Sequence, residues 1–154
     1  MSSPRRRIRL AFETGETVMA DLLDDAAPAV CQAVWDALPL EGGALHGQYS
    51  GAEIFVALDP LGAPHENLTQ LPLPGELLYF TEAGTGVLTA RRAVGEICFV
   101  YGRGVVLRQH EGVPAFASLF ARVPGDWLYD WADFQQACRR LRREGTRRLR
   151  IERV

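Results

Sequence analysis

Lysine is missing altogether. All 17 basic residues of the 154-residue chain are arginine, and 19 acidic residues bring the formal charge to −2. Arginine makes bidentate contacts with phosphate, which invites a nucleic-acid reading. The balance of charge offers no general attraction to polyanions, however, and an arginine bias along a whole chain follows from codon usage in a GC-rich genome, so no nucleic-acid partner is expected. Cysteine is scarce: Cys31, Cys98 and Cys138 are odd in number, widely spaced and set among apolar residues. That excludes a disulfide frame and suits reduced, buried thiols. No long apolar run follows Arg5-Arg6-Arg7, so neither a signal peptide nor a membrane span is expected, and the reading is a cytoplasmic chain without a membrane partner. Phosphate-binding motifs are absent, since no GxGxxG or P-loop follows a strand and opens a helix; Gly84-Thr85-Gly86 reads as a hairpin tip. Ser50 and Ser118 lack a nucleophile-elbow context, and no cysteine lies in a polar turn, so no catalytic residue is assigned.

What is present is ordinary globular composition, 47% hydrophobic and 23% charged, in a length that fits one domain over residues 1–154. Ile8, Leu10 and Phe12 recur at period two, and Glu13-Thr14-Gly15-Glu16 supplies turn chemistry before residues 17–22, which predicts an opening hairpin. Pro28 with Val30, Val34, Ala37 and Leu38 at helical spacing, stopped by Pro39, predicts a helix over about 27–38. From residue 41 to about 123, short β-rich runs (44–50, 53–59, 74–80, 96–102, 105–111 and 116–123) alternate with Gly/Pro punctuation. Leu128, Trp131, Phe134, Cys138 and Leu141 then fall at steps of three and four, with Asp130 and Asp133 near the start, arginines near the end and Gly145 as a C′ residue, which predicts a long second helix. Leu149 and Ile151 alternate with charge in a last strand. Arginine-rich strands at the two termini are expected to pair and leave charged sheet edges that resist aggregation. The expected class is mainly β with two helices, closed into an antiparallel barrel.

The element order resembles the cyclophilin-like barrel, and motifs sharpen the likeness. Glu66-Asn67-Leu68-Thr69, the run from Pro72 to Phe80 through Pro74-Gly75-Glu76, the run from Glu96 to Arg103, and the ending Arg143-Glu144-Gly145 then Leu149-Arg150-Ile151-Glu152-Arg153 resemble a family of uncharacterised bacterial proteins with a cyclophilin-like fold. The resemblance implies fold more than activity. Cyclophilins lower the amide rotation barrier of about 18–20 kcal/mol with a guanidinium on a Phe-His-Arg strand. The comparable place here reads Ala44-Leu45-His46-Gly47-Gln48, with Gly47 where the arginine belongs, and the Gln-Phe-Phe hallmark is also missing. Classical prolyl isomerase activity is therefore not expected, although Arg103, flanked by Gly102 and Gly104, offers a replacement cation.

His46, His65 and His110, with the pairs His65-Glu66 and His110-Glu111, raise the question of a metal. Adjacent strand residues point to opposite faces, and the clustered histidines of a cupin are missing, so neither a metal nor another cofactor is expected. The arginine-rich end from Arg139 to Arg153 could dock a partner bearing phosphates or carboxylates, but the favoured reading is a solvated face that complements the helix dipole. What remains is an apolar-aromatic groove with a few polar groups. Tyr49, Phe55, Tyr79, Phe80, Tyr101 and Phe116 are candidates for its lining, with His46, Glu66, Asn67 and Arg103 as polar partners at strand ends and loops. The ligand-binding set read from sequence is His46, Tyr49, Glu66, Asn67, Tyr79, Tyr101 and Arg103. The function read from it is binding of a small anionic metabolite or an extended peptide, with a homo-oligomer as a further expectation. The alternatives are an enzyme or enzyme subunit linked to hydrolysis of amide and urea derivatives, a weak prolyl isomerase, or a purely structural interaction protein.

Overall fold

Along β1 (Arg7–Phe12), Ile8, Leu10 and Phe12 are buried and alternate with exposed or half-buried positions. A turn with Gly15 at φ 106° returns the chain as β2 (Thr17–Leu22), in register from Arg7 opposite Asp21 to Ala11 opposite Thr17. A computed structural model of the chain describes residues 3–81 and 94–154; the Gly84-Thr85-Gly86 tip lies outside the described residues. After the hairpin come α1 (Pro28–Ala37), β3 (Leu40–His46), β4 (Glu53–Leu58), the short β5 (Leu68–Thr69), β6 (Glu76–Thr81), β7 (Gly95–Val100), β8 (Ala117–Arg122), α2 (Ala132–Glu144) and β9 (Arg147–Arg153). The strands are hydrogen-bonded in the order β2-β1-β9-β3-β4-β7-β6-β8, and β8 pairs back with β2. The result is a closed eight-stranded antiparallel barrel, with β5 added beside β8. Closure pairs the backbone polar groups that open sheet edges would leave exposed.

One cluster fills the interior. Inward residues of the strands, among them Ile54, Leu77, Phe99, Phe120 and Ile151, join Val30, Cys31 and Val34 of α1 and Phe134, Cys138 and Leu141 of α2. Glycine makes room for one of these side chains: a Cβ on Gly42 would stand 2.9 Å from Val56 Cγ1. Phe134 anchors α2 against Phe12 at 5.0 Å and Phe99 at 5.3 Å between ring centroids, so its truncation to alanine costs about 3–5 kcal/mol. A second cluster (Leu78, Cys98, Val100, Val105, Leu107, Ala115 and Ala117) covers the outer face of β6, β7 and β8. Burial on both faces explains why β6 and β7 read as nearly continuous apolar runs rather than alternating ones.

Three expectations change. Residues 105–111 do not form a strand: the segment is a loop with one bridge, Arg108 to Pro114, and a 3-10 turn at His110–Gly112. Its alternating Val105 and Leu107 do bury, but backbone bonds to Ser50 and Gln70 hold them in place of a ladder, and positive φ at Gly104, Glu111 and Gly112 breaks extended geometry. Leu128 lies outside the second helix and is 54% exposed. Asp126 and Asp130 close a turn there, with Leu128 N donating to Asp126 Oδ1 (2.7 Å), so the helix begins only after Trp131. The terminal strands do pair, Ile8 opposite Arg153 to Phe12 opposite Leu149, but neither is an edge, because β1 also pairs with β2 and β9 with β3. Their outward arginines instead form cross-strand ion pairs: Arg7–Asp21 (3.4 Å), Arg9–Glu152 (3.3 Å) and Arg148–Glu41 (2.6 Å). Among the described residues, no helix is long and apolar enough to cross a membrane.

Candidate functional site

The periodicity of α2 sorts its residues. Phe134, Ala137, Cys138 and Leu141 face the core, while Gln135, Arg139, Arg142 and Arg143, at steps of four, three and one, share the adjacent stripe. That stripe forms one wall of a cavity of about 370 Å³. The facing walls are Gly51-Ala52 before β4, Tyr101-Gly102 after β7, and Trp127 from the turn that leads into α2. α2 packs against β3, whose last residue, His46, lies beside Tyr101.

The arginine-rich end divides into two groups. Arg140 pairs with Glu16 (3.1 Å), Arg147 with Glu144 (3.6 Å), and Arg150 with Glu41 (3.5 Å) and Glu152 (3.0 Å). Arg153 donates twice to the Trp35 carbonyl and lies over its ring at 4.8 Å. The guanidiniums of Arg139, Arg142 and Arg143 make no ion pair or hydrogen bond with a described residue, and all three residues line the cavity. The sequence reading of a solvated face therefore fits only part of this cluster.

His46 and Tyr101 form the best-defined polar contact at the cavity. The Tyr101 hydroxyl lies 2.6 Å from His46 Nε2, and His46 Nδ1 lies 2.8 Å from the Gly47 carbonyl oxygen. A carbonyl only accepts, so Nδ1 carries a proton, and in the neutral ring Nε2 is the acceptor for the tyrosine hydroxyl. Burial pushes the Tyr101 phenol above its usual range, with the Cys138 thiol adding to the effect; the Arg139 and Arg142 guanidiniums oppose both. The phenol therefore lies within the field of the unpaired arginines.

Behind Ala52, on the outer side of the sheet, Glu53 is a buried carboxyl whose Oε2 has no hydrogen-bond partner among the described residues. Burial, and after it the neighbouring Glu96 carboxylate, pushes it up to about 7. The three thiols are free and buried; burial pushes Cys31 up to about 12 and raises Cys98 and Cys138 well above the usual thiol range.

Of the residues read from sequence, Tyr101 lines the cavity and His46 is bonded to it. Arg103 is exposed and is not part of the lining. Tyr49 is half exposed and packs edge-on against His110 at 5.9 Å. Tyr79 is a core residue whose hydroxyl accepts from Leu61 N at 2.8 Å. Glu66 and Asn67 act in the architecture. Glu66 Oε1 accepts from Val30 N at 2.8 Å, satisfying the first turn of α1 where the N-cap residue Ala27 has no capping side chain. Asn67, at φ 49°, donates to the Leu119 carbonyl. No group of three histidine, cysteine or carboxylate side chains among the described residues is placed to hold a metal ion. The binding set read from sequence left out Gln135, Arg139, Arg142, Arg143 and Trp127; the arginine cluster was visible, but which of its members lack an acidic partner was not.

Comparison with known proteins locates the fold without supplying an activity. No curated protein matches the chain. McbB in complex with tryptophan has a TM-score of 0.65 at 17% identity over 95% of this chain, which spans only 44% of that protein's length. The solution structure of the hypothetical protein AF2241 from Archaeoglobus fulgidus has a TM-score of 0.55 at 20% identity, covering 100% of both chains. At such identities the likeness is one of fold. Residues 11–152 match the family model described as a protein of unknown function, DUF3830, and the chain belongs to that family.

Proposed function

We propose that this barrel is a binding module for a small anionic ligand, held in the cavity between α2 and the ends of β3 and β7. One observation carries the reading: three guanidiniums from a single helical stripe line the same concavity, and no described acidic side chain neutralises them. Concentrating unpaired positive charge costs self-repulsion, which a bound anion relieves. The cavity volume of about 370 Å³ sits in the range of small-molecule sites, and Trp127 and Tyr101 supply the apolar area such sites use.

The barrel is further read as cyclophilin-like without classical prolyl isomerase activity. A Cβ at Gly47 would stand 2.8 Å from Glu53 Oε1, so a larger side chain at the place of the isomerase arginine would have to displace the Glu53 carboxyl. In this reading the cation of the groove comes from α2 and not from Arg103. The test is thermal unfolding in rising inorganic phosphate at fixed ionic strength. Wild-type protein is expected to gain stability, as a native-state ligand requires. The triple variant Arg139→Gln/Arg142→Gln/Arg143→Gln should lose that gain, while Arg148→Gln, on the ion-paired outer face, should keep it. Equal responses in all three proteins, or none in any, would overturn the proposal.

A further inference from the structure

The hydrogen-bond polarity at the cavity narrows the ligand beyond its charge. The Gly47 carbonyl takes the proton on His46 Nδ1, and whenever the imidazole is neutral this leaves Nε2 to accept from Tyr101. The tyrosine proton is therefore committed to the imidazole at 2.6 Å, and the phenol oxygen keeps only lone pairs for any other partner. Arg139, Arg142 and Arg143 are donors only. Tyr101 lines the cavity together with these guanidiniums, so a ligand there meets donors that favour an anion and, where it reaches the phenol oxygen, an acceptor that favours a donor.

We infer that the ligand is an anion that also carries a neutral hydrogen-bond donor, a hydroxyl or amide N–H, near its acidic group, and that His46 is the positioning residue that sets this preference by fixing the polarity of Tyr101. The inference rests on the anion-binding reading of the cavity. A neutral donor suits the site better than an ammonium, because three unpaired guanidiniums repel a further cation. Ligands such as hydroxy acids or N-acyl acids meet both demands. A simple carboxylate brings no donor to the phenol oxygen and forgoes that hydrogen bond.

The probes are mandelate, its O-methyl ether and phenylacetate, which share a carboxylate and a phenyl ring but of which only mandelate donates a hydrogen bond. Calorimetric titration is expected to give mandelate an advantage of about fivefold over both others, the worth of one net hydrogen bond. Tyr101→Phe should abolish that advantage while leaving weak carboxylate binding. His46→Phe, which frees the tyrosine proton to donate, should shift preference towards the ether, an outcome that loss of packing alone does not produce. Equal affinity for the three probes in wild-type protein overturns the inference and leaves the anion site standing. So does failure of mandelate to bind where inorganic phosphate binds. Failure of both mandelate and phosphate overturns the inference together with the reading it rests on.

Discussion

Glu53 is a carboxyl in the wrong medium, and replacing it with glutamine should make that measurable. Burial first, and then the Glu96 carboxylate, move its titration from the ordinary 4.5 to about 7. The gap corresponds to about 3 kcal/mol, an upper bound because the surroundings relax. Below pH 4.5 the carboxyl is protonated in folded and unfolded chains alike and carries no charge penalty. Between 4.5 and about 7 the unfolded chain ionises while the folded one does not, so stability falls as pH rises through that window, and above it the loss is complete. Glu53→Gln removes the titration and the like-charge contact. Urea unfolding followed by circular dichroism at pH 4, 5.5, 7 and 8.5 should show the variant gaining on wild type as pH rises, by about 1–3 kcal/mol between the extremes. A difference that stays constant with pH would mean that Glu53 is solvated in the folded state, and the burial argument would fail.

Other parts of the structure predict losses of different kinds. Glu66→Ala removes the acceptor for Val30 N in the first turn of α1 and should cost about 1–2 kcal/mol in urea unfolding; no loss would place that N–H in water instead. Gly75 has φ 91°, and a Cβ there would stand 2.9 Å from the Val123 carbonyl oxygen. Gly75→Ala should therefore cost about 2–4 kcal/mol, and a neutral substitution would contradict that close approach. Because all three cysteines are free and buried with raised thiol titrations, Ellman's reagent should find no fast-reacting thiol in native protein and three after denaturation. A single fast thiol would refute the packing described around it.

The barrel was legible where periodicity is strong and local. The period-two alternation of β1 and β9, the turn at Gly15 and the helical spacing from Phe134 to Leu141 each follow from one side of an element facing the core. Residues 105–111 show how the same signal misleads. Val105 and Leu107 alternate because the segment lies across the outer face of the sheet, yet its backbone partners are a serine hydroxyl and single carbonyls rather than a strand. The site was less legible for a related reason. Glu66 and Val30 meet across 36 residues, and His46 and Tyr101 across 55, separations that no local pattern encodes. His46 and Tyr101 were named from their places at strand ends, but their bond depends on the register of β3 with β4 and of β4 with β7. The arginines read as one cluster because sequence counts charges without pairing them. Closing the barrel gives Arg148 and Arg150 to Glu41 and leaves Arg139, Arg142 and Arg143 beside the cavity.

The most direct test of the central claim, that the cavity beside α2 is the ligand site, is an amide NMR titration of the wild-type protein with mandelate. Saturable shifts are expected to concentrate at Gly51, Ala52, Tyr101, Gly102, Gln135 and Arg139, with the amides of Arg148 and Arg150 unmoved. Shifts that spread evenly over the arginine-rich strands, or that gather around Glu66 and Asn67, would contradict it.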